Sequence, residues 1–219
     1  MLTISPIIQG DIKAIYDELK DELRKIEGSK WLISGGAGFL GGYILDLLNY
    51  CNEKVFTKPC QIICIENFIS GKPARIQHLV DNKFIKIIKA DIVKPIPLTF
   101  NFDYIVHAAS IASPTFYRKY PLETIEVNVL GLKNLLDLGI TQNLKSFLYF
   151  STSEIYGDPL PENIPTPEHY NGNVSCTGPR ACYDESKRLG ETLVVNYHRK
   201  YNLPVKTVRP FNVYGPGLK

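Results

Sequence analysis

No apolar stretch in this 219-residue chain approaches the roughly 20 residues needed to cross a bilayer. The N-terminal "MLTISPIIQGD" has neither a basic opening nor a sustained apolar run, so no secretory signal is read there. Arginine-rich runs and patterned basic stripes are missing too, and the net charge is only +3. That balance gives no argument for a nucleic-acid surface. The five cysteines are an odd number without a CxxC pair, which speaks against a disulfide framework and structural zinc. The expectation is a reduced, cytoplasmic protein with no metal site. Cys60 and Cys64 sit in or beside an apolar run, where cysteine is a small core residue. Repeats and low-complexity linkers are absent. What remains is an ordinary globular composition, 44% hydrophobic and 21% charged, long enough for one domain and short for two.

Residues 10–27 carry apolar side chains at helical spacing (Ile12, Ile15, Tyr16, Leu19, Leu23, Ile26), with Gly28 as a stop. They predict an N-terminal helical extension, residues 1–29, ahead of a second unit, residues 30–219. After Gly28 short apolar runs alternate with helical patterns. Strands are expected at 30–34, 60–66, 84–91, 102–109, 146–151 and 204–211. Helices are expected at 38–50, 121–139 and 180–201. Buried strands alternating with helices imply a doubly wound parallel α/β sheet, with ligands at the carboxyl ends of its strands.

"SGGAGFLGG" follows the first strand and opens the first helix of that unit. Gly35, Gly38 and Gly41 allow a tight turn and close backbone approach to a pyrophosphate, which the helix N-terminus attracts. A glycine turn alone is weak evidence, but a strand before it and a helix after it is the confirming context. Glu66 ends the second strand, near the expected offset of about 20 residues. A carboxylate there accepts from both ribose hydroxyls and repels a 2′-phosphate, favouring NAD over NADP. The alternatives are a surface acid at a strand end, or a phosphate received by Lys72 or Arg75.

A tyrosine four residues before a lysine occurs in "YDELK" (Tyr16–Lys20), "YCNEK" (Tyr50–Lys54) and "YDESK" (Tyr183–Lys187). With 13 tyrosines in the chain, composition alone produces such words, and on a helix each pair shares a face. Tyr16 belongs to an apolar stripe. Tyr50 falls where its helix is expected to end, leaving Lys54 in a loop. Only Tyr183 lies at the strand edge where the glycine loop opens, near "STSEIYGD", which presents Ser151, Thr152, Ser153 and Glu154. A free phenol has a pKa of about 10; positive charge from Lys187 and from an oxidised nicotinamide would favour phenolate. Tyr183 could then take a hydroxyl proton during hydride transfer while Thr152 holds the same oxygen.

"GGAGFLG", "HAAS", "STSEIYGD", "YDESK" and "RPFNVYGP", in this order, resemble the extended short-chain dehydrogenases that modify nucleotide sugars, from about residue 30 onward. "HAASIASPTFYRKYP" and "GNVSCTGPRACYDESKRLGET" are most similar to UDP-glucuronate decarboxylases. The resemblance implies a Rossmann domain with NAD and a UDP-sugar substrate. It makes Tyr183 and Lys187 the catalytic pair, Thr152 the hydroxyl residue and Glu154 an added acid/base. It places Asp91 near the adenine, and Ser153, Asn128, Arg180 and Asn212 toward the sugar. Cofactor contacts are further implied for Phe39, Leu40, Asn67, Phe68, Gly71, Ile92, Ala108, Ala109 and Ser110. The chain departs from the pattern at Ser175–Cys176–Thr177 and at Gly217–Leu218, and residues 1–29 match no part of it. Because the family's substrate lobe lies largely beyond the position of Lys219, that lobe is expected to be mostly absent from this chain, and exposed apolar surface to favour a homodimer.

The chemistry so implied is oxidation at the sugar C4, then decarboxylation of UDP-glucuronate to UDP-xylose. A 4,6-dehydratase shares the first step and also uses an acid at Glu154; a simple 4-epimerase does not need one. A reading of another class is a cofactor-binding scaffold without turnover.

Overall fold

The computed structural model describes residues 4–95 and 100–218. Six strands form one parallel sheet: β1 (Lys30–Ser34), β2 (Gln61–Glu66), β3 (Ile85–Lys89), β4 (Tyr104–His107), β5 (Ser146–Phe150) and β6 (Val205–Val208). Their order is β3-β2-β1-β4-β5-β6, so the direction of winding reverses beside β1. That reversal opens a crevice at the carboxyl ends of β1 and β4. Register is fixed by pairs such as Ile33 with Cys64 and Ile33 with Val106.

Side chains alternate across the sheet. Leu32, Ile63, Ile105, Phe147 and Tyr149 meet Leu132, Leu136 and Val194 on one face. Ile33, Ile62, Cys64 and Val106 meet Leu45, Leu48 and Cys51 on the other. These helical partners come from α5 (Leu132–Ile140) and α6 (Ala181–Tyr201), and from α2 (Phe39–Lys54). Cys51, Cys60 and Cys64 are buried free thiols, as expected of small core residues. Burial pushes the Cys64 thiol up to about 12, since the thiolate would lose its water.

Three elements differ from the sequence reading. The first helix, α1 (Pro6–Arg24), starts earlier than residue 10 because Ser5 caps it, accepting from the Ile7 N–H at 3.3 Å, with Pro6 just inside. Of the expected extension, residues 1–3 lie outside the described residues. Second, α2 runs on through Asn52 to Lys54. Asn52 is a poor helix former, but its buried amide donates to the Cys60 carbonyl (2.9 Å) and accepts from the Cys60 N–H (2.7 Å), a tertiary gain that overrides propensity. Third, the expected helix over 121–139 is α4 (Pro121–Glu126), a wide turn over Val127–Gly131, and then α5. A short helix, α3 (Pro114–Lys119), precedes it. Among the described residues no helix is long and apolar enough to cross a membrane.

Candidate active site

The β1–α2 loop is built so that only glycine fits. Gly35 has φ +82°, and a Cβ there would stand 2.5 Å from the Ala109 nitrogen. A Cβ on Gly41 would stand 2.3 Å from the Gly35 carbonyl oxygen. The loop thereby packs against the end of β4 and starts α2 at Gly38, with no side chain capping the first turn. The free N–H groups of that turn form an anion-binding end. A dinucleotide's pyrophosphate fits this cradle.

Glu66, at the end of β2, is nearly buried. Its carboxylate accepts from the Ala37 N–H and from the Phe68 N–H, each at 3.0 Å. It thus joins the glycine loop to the following turn, where Phe68 has φ +61°, and still lines the trough. Asp91 and Ile92 form the trough's far wall with Asn67. The Asp91 carboxylate accepts from the Val93 N–H at 3.0 Å. Gly71 backs onto Ala37 and Glu66. Arg75 is not a free phosphate ligand: its guanidinium donates to the buried Asp46 carboxylate at 2.7 Å.

The trough continues over Gly35, Gly38, Ala108 and Ser110 into a wider cleft. Phe39, Leu40 and Gly41 line one side of it; Thr152, Ser153, Glu154, Tyr183, Lys187 and Asn212 line the other. Thr152, Tyr183 and Lys187 are all nearly buried. The Thr152 hydroxyl accepts from the Glu154 N–H at 3.2 Å. Burial pushes the Tyr183 phenol up, and the neighbouring Thr152 hydroxyl partly opposes this.

Lys187 does not sit on the Tyr183 hydroxyl. Its ammonium donates to the Phe150 carbonyl at 2.7 Å and stands 6.0 Å from the Tyr183 ring centre. Burial lowers its pKa to about 7; a positive charge brought by a bound cofactor would add to that of Lys187 in favouring phenolate at Tyr183.

Asn128 does not face the sugar side of the cleft. It is buried in the wide turn, its carbonyl accepting from the Ser110 hydroxyl (2.8 Å) and its amide donating to the Ser186 hydroxyl (2.9 Å). It ties the end of β4 to α6 beneath the site. Phe68 contributes its backbone, while its ring packs toward the core. Arg180 does reach the cleft and pairs with Glu154.

Sequence reasoning missed Tyr117. Its ring stacks on Tyr183 at 5.3 Å and 11°, and it was legible only as one aromatic in "SPTFYRKYP". The other two Tyr–Lys words are resolved simply. Tyr16 and Tyr50 pack on each other, ring centres 5.4 Å apart, where α1 meets α2. They hold two helices together.

A family model described as the NAD dependent epimerase/dehydratase family matches residues 31–219. UDP-glucuronic acid decarboxylase 1 of Arabidopsis thaliana is 42% identical over 187 residues, 85% of this chain and 40% of that protein. The chain thus spans well under half the length of that relative. The structure of UDP-glucuronic acid 4-epimerase from Bacillus cereus in complex with NAD superposes with TM-score 0.70 at 26% identity, covering 87% of this chain and 59% of that one. An epimerase from Methanothermobacter thermautotrophicus gives TM-score 0.76 at 26% identity, covering 92% and 57%. With that family model matching most of its length, the chain belongs to the NAD dependent epimerase/dehydratase family.

Proposed function

We propose that the whole protein decarboxylates UDP-glucuronate to a UDP-pentose, with oxidation at C4 as its first step. The observation that carries this reading is the presence of Glu154 in the same cleft as Thr152 and Tyr183, in a chain 42% identical to a UDP-glucuronic acid decarboxylase. Gly35, Gly38, Phe39, Leu40 and Gly41 would hold the cofactor's pyrophosphate, and Glu66, Asn67, Phe68 and Gly71 the adenosine ribose. Asp91 and Ile92 would flank the adenine; Ala108, Ala109, Ser110, Tyr183 and Lys187 would border the nicotinamide end. NAD, when bound, supplies a hydride acceptor and a positive charge, and returns the hydride so that none is consumed.

Tyr183 takes the proton of the C4 hydroxyl, and Thr152 holds that oxygen in place. The resulting 4-keto sugar acid is a β-keto acid. Its carboxylate leaves as carbon dioxide because the electron pair left behind is delocalised as an enolate. Glu154 manages the proton at the adjoining carbon. Ser153 and Asn212 line the sugar side. An acid at Glu154 also suits a 4,6-dehydratase, so the product decides. Carbon dioxide and UDP-xylose from UDP-glucuronate are the expected products of the whole protein with NAD. A retained carboxylate in a 4-epimer, or a 4-keto-6-deoxy sugar from a neutral UDP-hexose, would replace this reading.

A further inference from the structure

Arg180, just before α6, is shared between two acids. One terminal nitrogen pairs with Glu154. Its Nε lies 3.6 Å from the Asp184 carboxylate, beyond hydrogen-bond length, and is buried without a partner. Asp184 is 7% exposed, and its Oδ1 has no hydrogen-bond partner either. The Tyr117 hydroxyl, on a residue 1% exposed, is a third orphan. Buried polar atoms are nearly always bonded. Here the unused Arg180 Nε donor and the unused Asp184 Oδ1 acceptor lie on paired residues, with the Tyr117 hydroxyl, able to donate or accept, as their neighbour. Tyr117, Arg180 and Asp184 also interact electrostatically. The remaining titratable or charged neighbours are Arg118 on α3, Glu185 and Cys182 on α6, and Tyr183 itself.

This arrangement is unfinished in one position of Arg180 and completed in another. Arg180 pairs with Glu154 within the cleft, and a guanidinium beside a carboxylate favours its ionised form. If Arg180 moves onto Asp184, Nε and Oδ1 gain partners and Glu154 is released to take up a proton.

We propose that Asp184 is a positioning residue. By competing with Glu154 for Arg180, it sets how readily Glu154 takes and gives a proton at the substrate. The catalytic half of this statement rests on the function proposed above; the competition itself does not.

The test separates the two. Carboxyl-labelled protein is titrated by NMR as the 219-residue chain, in wild type, Asp184→Asn, Arg180→Gln and the double variant. Asp184→Asn should lower the Glu154 midpoint by about half a pH unit or more, because Arg180 is no longer shared. Arg180→Gln should raise the midpoints of both acids. In the Arg180→Gln background, Asp184→Asn should have little further effect on Glu154, since the competition acts through Arg180. An Asp184→Asn shift of the same size in both backgrounds, or no shift in either, would overturn the proposal. Unchanged NAD affinity in each variant controls for folding. In the whole protein, Asp184→Asn should lower kcat about tenfold, change KM less than about twofold and move the acid limb of the pH profile down, with Asp184→Glu restoring most of the rate. Absence of turnover in wild type would sink the function and leave the titration result standing. Loss in KM alone, with an unmoved pH profile, would overturn the positioning role.

Discussion

Replacing Lys187 by methionine should make this protein more stable at neutral pH. Lys187 is 2% exposed, with an ordinary pKa of 10.5 lowered to about 7 by burial. Each pKa unit is worth about 1.4 kcal/mol, so carrying this group into the core costs about 4 kcal/mol at pH 7. Methionine fills a similar volume without that cost. It also abandons the Phe150 carbonyl, now bonded at 2.7 Å, at about 1–3 kcal/mol. The net expectation is a gain of about 1–3 kcal/mol at pH 7. The folded pKa lies below the unfolded one, so between about pH 7 and 10.5 the unfolded chain holds the extra proton and wild-type stability rises with pH. Near pH 9.5 the charge cost falls to about 1 kcal/mol, and the methionine variant should lose its advantage. Urea unfolding of both proteins at the two pH values measures this directly, since other titrations cancel in the difference. A variant less stable than wild type by the same amount at both pH values would refute the burial argument.

The cofactor trough makes its own prediction. Calorimetry should show NAD binding more tightly than NADP, because the Glu66 carboxylate lines the trough and would repel a 2′-phosphate, while Arg75 is held by Asp46; Glu66→Gln should weaken NAD and narrow the difference, and equal affinities in wild type would remove Glu66 from this role. Tyr183→Phe in the whole protein should cost roughly 10²–10⁴-fold in rate with cofactor affinity nearly intact. Tyr16→Phe and Tyr50→Phe should leave the rate within about twofold, since their rings pack helix on helix and neither lines the cleft; a normal rate in Tyr183→Phe would end the proposal for that residue.

The strands and their order of appearance were legible because a two-sided parallel sheet demands continuous apolar runs such as "CQIICIE", and the glycine loop because its spacing has a steric cause. Boundaries set by tertiary contacts were not legible. Asn52 extends α2 only because Cys60 is there to bind it. The wide turn at Val127–Gly131 is invisible to a 3.6-residue periodicity. The side chains that line the cleft could be named from context, yet their relations could not. That Lys187 points at a carbonyl, that Asn128 lies under the site and that Arg180 is divided between two acids follow from packing between segments far apart in the chain. Tyr117 reaches Tyr183 from α3, a short helix where the sequence pattern predicts no element.

The central claim, that this cleft oxidises a sugar hydroxyl through Tyr183 and restores its cofactor in the same turnover, has a direct measurement. The NAD-loaded whole protein is mixed rapidly with UDP-glucuronate while reduced-nicotinamide absorbance is followed. The account predicts a transient rise that decays as product forms, with no net accumulation, and no rise in Tyr183→Phe. Product formed at a normal rate without any reduced nicotinamide, or reduced nicotinamide accumulating mole for mole with product, would contradict it.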